Sequence, residues 1–247
     1  MSGDERTENW SESDSAYFMD VGRYFVPERE VQIETICDLI PEPTGAAHLV
    51  EMCCGEGLLS HALLERMPGV ILHAFDGSPA MLEAARGRCA GFGDRFEARA
   101  FDLAAGDWRA FPWPIHAACS SLAIHHLDGP GKQRLYEDIG HVLAPGGVLV
   151  IADLVEPTTP EGRQVAAKAW DDAVRARALE TDGEPRAFER FRADDWNYFS
   201  DPDPDPIDMP SPLLDQLNWL AAAGLEGADV HWLKAGHAIF SARKPTP

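Results

Sequence analysis

A glycine-rich turn and two later aspartates are the residues of this sequence whose spacing is best suited to chemistry. The segment EMCCGEG (51–57) follows an apolar run, and Gly55 and Gly57 allow its backbone to adopt positive φ and to approach a ligand closely. Asp76 follows after about 20 residues, the offset at which a carboxylate can accept hydrogen bonds from both hydroxyls of a ribose. Asp102 ends a third apolar run, where it can accept a hydrogen bond from the exocyclic amine of a base while Leu103 covers the ring. Together these residues predict a site for a nucleoside-containing ligand.

Two adjacent histidines, His125 and His126, follow a fourth apolar run at residues 117–124. Imidazole titrates near neutrality, so either ring could accept a proton from a substrate. The structural alternative is that the pair caps the strand and packs under the following helix. We expect no metal here, because adjacent histidines usually point apart and the sequence shows no third ligand.

The elements that must position these residues are short apolar runs that alternate with helical patterns. The runs lie at residues 48–54, 70–76, 95–102, 117–124 and 147–154. This alternation predicts a Rossmann-like, doubly wound α/β fold with a mostly parallel sheet, in which ligands bind beyond the carboxyl ends of the strands. The segments VHWLKA (230–235) and HAIFSARK (237–244) predict an antiparallel hairpin at one edge, which makes seven strands.

The chain is long enough for a single domain with elaborations. We expect a mobile acidic tail at 1–15 and one domain at 16–247, with N-terminal lid helices at 16–45 and a helical, substrate-covering insertion at 155–212, after the fifth strand. The stretch SDPDPDPIDMPSP (200–212) alternates aspartate and proline, which suggests either a metal-binding loop or, as we favour, a stiff solvated connector.

Aromatic side chains are concentrated in the lid and the insertion. They predict a substrate pocket for an apolar or aromatic small molecule, although the same spacing is common in cores. The candidate pocket residues are Tyr17, Tyr24, Trp170, Trp196 and Tyr198.

The composition argues against several classes of partner. The net charge of −20 repels phosphate backbones and acidic lipid surfaces, so we expect neither nucleic acid nor a membrane as partner. The five cysteines show no Cys-x-x-Cys spacing, and the chain lacks both a signal-peptide pattern and an apolar run of about 20 residues. We therefore expect a cytoplasmic protein with reduced thiols, and its oligomeric state, including a homodimer, stays open.

The segments LVEMCCGEGLLS, AFDGSPAMLEAA, AFDL, SSLAIHHL and VLAPGGVLVIADL resemble the successive motifs of the small-molecule class I S-adenosylmethionine-dependent methyltransferases. The resemblance implies S-adenosylmethionine (SAM) as cofactor and S-adenosylhomocysteine as product. It implies that Glu51 holds the turn, Asp76 binds the ribose, Asp102 binds the adenine and Arg23 pairs with the cofactor carboxylate. The full set of cofactor residues so implied is Arg23, Glu51, Cys53, Gly55, Gly57, Asp76, Gly77, Ser78, Met81, Phe101, Asp102, Leu103 and Ser120.

The charges beside the turn also bear on the choice of cofactor. Glu51 and Glu56 flank the turn and would repel a pyrophosphate, whereas SAM carries an ammonium and a sulfonium.

Cys53 departs from the family pattern, which has glycine at this position. We expect the small side chain to adopt a β-region or mildly strained backbone, with SAM still bound and its methionine tail shifted. A nucleophilic role for the thiol is not favoured, because no cationic residue adjoins it in sequence.

Methyl transfer from SAM to the O, N, S or C atom of a small molecule is the leading functional hypothesis, and His125 and His126 are the candidate catalytic residues. One alternative keeps the cofactor but transfers another group or rearranges SAM itself. The other alternative is a non-catalytic, methyltransferase-like partner subunit.

Overall fold

A seven-stranded sheet covered by helices on both faces forms the centre of the computed structural model, which describes residues 10–247. The strands are β1 (Ala47–Met52), β2 (Val70–Asp76), β3 (Phe96–Ala100), β4 (Ile115–Ser121), β5 (Leu143–Leu154), β6 (Glu226–Lys234) and β7 (His237–Arg243). The helices are α1 (Glu12–Phe25), α2 (Arg29–Leu39), α3 (Leu58–Arg66), α4 (Pro79–Cys89), α5 (Gly129–Val142), α6 (Pro160–Asp182), α7 (Arg186–Ala193) and α8 (Leu213–Ala222).

The strand order is β3-β2-β1-β4-β5-β7-β6, and it confirms the predicted Rossmann-like fold. β1 to β5 run parallel to one another, while β7 lies antiparallel between β5 and β6, so the closing hairpin is antiparallel as predicted. The order reverses between β1 and β4, and crevices at such switch points are where ligands bind in open α/β sheets.

Both faces of the sheet are buried because successive strand residues point to opposite sides. Along β1, Leu49 joins the apolar cluster under α2 and α3, whereas Val50 and Met52 join the cluster under α5 and α8. Ile36 and Cys37 of α2 are buried in the first of these clusters, so α2 is a covering helix of the sheet. This corrects the expectation that residues 16–45 form lid helices, because only α1 lies outside the two sheet faces.

A third apolar cluster joins α1 to the predicted insertion. Phe25 of α1 packs with Trp170 of α6 and Phe191 of α7, and the Trp170 indole N–H donates to the Phe25 carbonyl at 2.7 Å. The N-terminal helix and the insertion therefore fold as one layer.

The start of α1 corrects the boundary expected for the acidic tail. Ser11 caps the helix by accepting from the Asp14 N–H, and the Asp14 carboxylate accepts from the Ser11 N–H, which forms a capping box. Residues 12–15, assigned to a mobile tail from sequence, are thus helical, and residues 1–9 of that prediction lie outside the described residues.

None of the helices within residues 10–247 combines the length and the apolar character that crossing a bilayer requires.

We predict that Trp170→Phe lowers the free energy of unfolding by about 1–3 kcal/mol more than Trp108→Phe, as measured by urea denaturation. The reason is that Trp170→Phe leaves the buried Phe25 carbonyl without its donor, whereas the Trp108 indole N–H has no hydrogen-bond partner among the described residues. The two substitutions remove the same atoms, so equal losses would contradict a role for the hydrogen bond.

Candidate functional site

Asp76 fastens the turn after β1 to the end of β2. One of its carboxylate oxygens accepts from the Gly55 N–H at 2.7 Å, and the other accepts from the Ser78 N–H at 2.9 Å. Burial raises the pKa of Asp76, although these amides favour its ionised form. The structure thus places this carboxylate at the carboxyl edge of the sheet, against the glycine-rich turn, as the sequence predicted.

The two glycines of the turn are required for different reasons. Gly55 has φ +54°, and a Cβ there would meet only the Met81 sulfur at 3.9 Å, so the space above it is open. Gly57 has φ +81°, and a Cβ there would lie 3.0 Å from the Cα of Ala85 in α4. Gly55 therefore leaves room beside the turn, whereas Gly57 allows α3 and α4 to pack closely.

Cys53 adopts a left-handed backbone with φ +56°, which is the strained rather than the β-region conformation of the two expected. This conformation costs a non-glycine residue about 1–2 kcal/mol, which explains the glycine of the family pattern. Burial, with the charges of Asp76, Asp153 and Glu51, raises the pKa of the Cys53 thiol well above its usual range. A thiolate is disfavoured here, so the structure argues against a nucleophilic role.

The two glutamates of the turn carry less free charge than their sequence suggests. Glu51 is buried and accepts a hydrogen bond from the Ser60 hydroxyl, and its burial raises its pKa to about 8. Glu56 pairs with Arg88 at 2.7 Å and lies 3.8 Å from Arg29. The expected repulsion of a pyrophosphate by these residues is therefore weakened, and Asp76 is left as the main anion at the turn.

Arg29, not Arg23, is the arginine beside the turn. Arg23 is exposed, and its guanidinium lies over the Tyr24 ring at 4.6 Å from the centroid. The Arg29 guanidinium is largely buried, and its Nη1 atom has no hydrogen-bond partner among the described residues. Its place beside the turn makes Arg29 a second candidate for an anionic group of a ligand, and the assignment of Arg23 stays a prediction.

The loop after β3 is held against β2 by main-chain bonds. The Phe101 N–H donates to the Asp76 carbonyl at 3.1 Å. The Asp102 side chain is exposed and accepts from the Ala104 N–H, and Leu103 is half-buried. Asp102 and Leu103 therefore follow the strand next to β2, and their role in an adenine subsite stays a prediction.

Of the remaining predicted cofactor residues, one is exposed and the others make hydrogen bonds or are buried within the protein. Gly77 is exposed, whereas the Ser78 hydroxyl accepts from the N–H of buried Met81 and caps α4. The fully buried Ser120 donates its hydroxyl to the Met52 carbonyl at 2.9 Å, so this group joins β4 to β1.

Both ring nitrogens of His125 face carboxylates. Nδ1 lies 2.5 Å from an Asp153 oxygen, and Nε2 lies 3.4 Å from an Asp208 oxygen. Burial opposes the charged ring, but these carboxylates outweigh it and raise the pKa of His125. Neither nitrogen is directed towards open space, so the structure does not favour His125 as a free general base.

His126 is less buried and meets the same loop. Its Nδ1 atom lies 3.3 Å from the Asp208 carboxylate and 3.2 Å from the Ile207 carbonyl, and its ring centroid is 4.2 Å from that of His125. The adjacent rings therefore do not diverge, which contradicts the expectation from sequence.

Lys132 holds this loop against α5. Its buried ammonium donates to the carbonyls of Leu127 and Met209 and to the Ser211 hydroxyl, and burial lowers its pKa to about 8. The Met209 N–H in turn donates to the His125 carbonyl at 2.7 Å. These bonds hold the proline-rich segment against the histidine pair. The segment was expected to be a solvated connector, so this part of the expectation is corrected.

The aromatic residues assigned to a substrate pocket mainly pack together. Tyr24 and Trp170 are buried in the third apolar cluster, Tyr17 stacks on Trp196 at 5.2 Å, and the Tyr198 ring lies beneath Arg163. None of the five lines the cavity beside His126, so the core interpretation of their spacing fits better than the pocket interpretation.

The first turn of α1 crosses the carboxyl edge of the sheet. The Glu12 carboxylate accepts from the Ala80 N–H near the start of α4, and the Trp10 ring lies 5.5 Å from the His126 ring. α1 therefore spans the distance between the ends of β2 and β4.

A cavity of about 320 Å³ adjoins the histidine pair. It is lined by Ala104, Arg109, His126, Leu127, Asp128, Gly131, Arg134 and Met209. Arg109 is largely buried against Asp138, and Arg134 is exposed. The cavity is large enough for a small molecule, and its wall holds the exposed Arg134, the paired Arg109 and the Asp128 carboxylate.

Three residues of this region were missed from sequence. Arg29 lies in the same GRYFVPERE segment as Arg23, and Asp153 ends a predicted strand, so both had a local signal. Asp208 had no local signal that separates it from the other aspartates of its loop. Its position depends on the hydrogen bonds that the neighbouring Met209 makes with Lys132 and His125.

Comparisons with known proteins agree with this geometry. Residues 49–147 match a family model described as a methyltransferase domain. The trans-aconitate 2-methyltransferase of Paracidovorax citrulli is 33% identical over 159 residues, which cover 62% of this chain and 57% of that protein. That of Variovorax paradoxus is 29% identical over 157 residues, with the same coverage. The matched part thus spans little more than half the length of these curated relatives.

Solved structures share the fold. An O-methyltransferase family 2 protein from Planctomyces limnophilus, in complex with apigenin, has a TM-score of 0.61 and 20% identity, and covers 96% of this chain and 62% of that one. Human N-acetylserotonin methyltransferase, in complex with SAM, has a TM-score of 0.59 and 14% identity, and covers 96% of this chain and 57% of that one.

We predict that Cys53→Gly raises the free energy of unfolding by about 0.5–1 kcal/mol and that Cys53→Val lowers it by at least about 1 kcal/mol, as measured by urea denaturation. Glycine relieves the left-handed strain, whereas a β-branched side chain increases it. Cys54→Gly, one residue on and not at positive φ, is the control and should destabilise the protein. A loss of stability in Cys53→Gly as large as that in Cys54→Gly would contradict this account.

Proposed function

We propose that the chain is a class I S-adenosylmethionine-dependent methyltransferase, which transfers the methyl group of SAM to a small molecule, because residues 49–147 match a methyltransferase-domain model and the similar proteins are methyltransferases. The observation that carries the proposal is the Asp76 carboxylate, which is held at the end of β2 by the Gly55 and Ser78 amides and lies against an open glycine turn. In Rossmann-like folds an acidic side chain at this position can hold a ribose, which supports the proposal.

The residues present fit SAM. Gly55 leaves space above the turn. The buried Nη1 of Arg29, 3.8 Å from the Glu56 carboxylate, has no hydrogen-bond partner among the described residues, and a ligand carboxylate would supply one. Asp76 would hold the ribose hydroxyls, Arg29 the carboxylate of the methionine part, and Asp102 with Leu103 the adenine. When bound, SAM supplies a methyl group already activated by a sulfonium.

The chain itself must align the acceptor and exclude water from this edge. α1 provides the cover, since Glu12 and Trp10 fasten it at the ends of β2 and β4. A general base is needed only when the acceptor carries a proton of high pKa. Because both nitrogens of His125 face carboxylates, the site is better suited to an acceptor that is already ionised.

We favour a carboxylic acid as the acceptor. The cavity beside His126 is lined by Arg109 and Arg134, and the curated relatives are named for trans-aconitate. The aromatic residues that first suggested an apolar acceptor pack instead against one another.

Turnover with SAM tests the reaction and the acceptor class together. We expect trans-aconitate, or another small polycarboxylic acid, to yield S-adenosylhomocysteine and a product heavier by one CH₂ group, measured by mass spectrometry. Apigenin is the aromatic comparison and should not react. Methylation of apigenin alone would overturn the acceptor class, whereas loss of SAM without a methylated product would favour another transfer or a rearrangement of the cofactor.

Calorimetry with SAM tests the cofactor site. We expect Arg29→Gln to weaken binding by about tenfold, through loss of a charge-assisted pair, and Arg23→Gln, its matched control, to leave the affinity within about twofold. Asp76→Ala should cost at least about 1 kcal/mol of binding free energy. Absence of SAM binding to the folded chain would overturn the proposed function, and a greater effect of Arg23 would favour the assignment from sequence.

A further inference from the structure

Three side chains from separate parts of the chain converge beside the end of β4. His125 and His126 lie in the short helical turn Ile124–His126, and Asp208 lies in the proline-rich loop that follows α7. Each offers one metal-ligating atom, and the three atoms lie within 4.8 Å of one another. We call these residues the histidine-aspartate cluster.

Two of the three distances within the cluster match those between the ligands of one metal ion, and the third, between the two histidine nitrogens, is within 4.8 Å. The Asp208 oxygen lies 3.4 Å from His125 Nε2 and 3.3 Å from His126 Nδ1. Charge-assisted hydrogen bonds are shorter, at about 2.7–2.9 Å. Tetrahedral bonds of about 2.0–2.1 Å instead place neighbouring ligand atoms about 3.3–3.4 Å apart.

Asp153 supplies the outer partner that metal-binding histidines usually have. It lies 2.5 Å from His125 Nδ1, so a proton on that atom leaves Nε2 free as a ligand. For His126 the ligating atom is Nδ1, which requires the tautomer protonated at Nε2 and replaces its contact with the Ile207 carbonyl.

The charge of this region also calls for a cation. Asp153 is 1% exposed, and its second oxygen has no hydrogen-bond partner among the described residues. Asp208 adds a second carboxylate, with a side chain that is 26% exposed. With one ammonium nearby, that of Lys132, the two carboxylates beside two neutral imidazoles leave one uncompensated negative charge, which favours a cation where water is limited.

We propose that the histidine-aspartate cluster binds one divalent transition-metal ion, of which Zn²⁺ best matches the two imidazoles and one carboxylate. Three protein ligands leave a fourth position open, as in catalytic zinc sites. His126 also lines the 320 Å³ cavity, so the open position would hold an oxygen of a carboxylate-bearing acceptor. This role of the ion rests on the proposed function, whereas ion binding itself does not.

Cobalt titration of the full chain, stripped of metal by a chelator, tests ion binding. We expect one Co²⁺ per chain, a visible absorption spectrum typical of nitrogen and oxygen ligands, and displacement by Zn²⁺. A thiolate-to-cobalt charge-transfer band would place the ion on cysteines and overturn the proposal, as would the absence of binding. The spectrum of the unaltered chain decides this outcome even if a variant fails to fold.

Variants then locate the ion. Asp208→Asn and His126→Asn should each weaken Co²⁺ binding by at least about tenfold. Asp205→Asn is the matched control, because it removes the same charge from the same loop and keeps an oxygen to accept the Ile207 N–H. Binding that survives both cluster substitutions, or that falls equally in the control, would overturn the site.

These titrations contain neither SAM nor acceptor, so their result is independent of the calorimetry with SAM. A chain that binds Co²⁺ at the cluster but not SAM would retain the metal site and lose the proposed function. The reverse result would retain the proposed function alone.

Discussion

The carboxylates buried at the carboxyl edge of the sheet set the constraint on which this site depends. Glu51, Asp76 and Asp153 are 2%, 8% and 1% exposed. Placing such groups away from water costs several kcal/mol each unless hydrogen bonds or positive charge compensate. Asp76 accepts hydrogen bonds from backbone amides. Glu51 accepts a hydrogen bond from the Ser60 hydroxyl, and its raised pKa favours the neutral form. One oxygen of Asp153 is hydrogen-bonded to His125.

This compensation favours bound positive charge among these carboxylates, whereas an anionic acceptor would meet the arginines of the cavity beside His126. Hydrogen bonds distribute the carboxylate charge but do not remove it, so a bound positive charge gains from every carboxylate nearby. The sulfonium of SAM and a divalent ion at the histidine-aspartate cluster would both meet this need, at neighbouring positions along the same edge.

The sheet could be predicted from sequence because its signals are local. β2 has the predicted bounds, the closing hairpin is present as predicted, and Asp76 lies at the end of its strand as predicted. Apolar runs and acidic residues at strand ends can be recognised within a few residues of sequence. The side-chain environment could not be predicted to the same extent. Whether Arg23 or Arg29 faces the turn depends on how α1 and α2 meet, and nothing short of the packed fold decides it.

Long-range contacts account for the other differences. Asp208 lies beside His125 because the buried Lys132 ammonium binds the Met209 carbonyl of the same loop and so holds the loop against α5. Lys132 is 77 positions before Met209 in the chain. Cys53 has a left-handed backbone conformation, which cannot be predicted from its residue type alone. Trp170 and Tyr24 pack in a core because α1 and the insertion fold together, an association that no local pattern reveals.

The position of α1 has a kinetic consequence. Trp10 and Glu12 fasten its first turn across the edge through one ring contact and one backbone hydrogen bond, whereas Phe25 anchors its last turn in an apolar cluster. The first turn can therefore move away from the edge of the sheet while the last turn stays packed in the cluster. Such an opening would let a nucleoside bound beneath α1 leave, and an opening slower than the chemical step would set the ceiling on turnover.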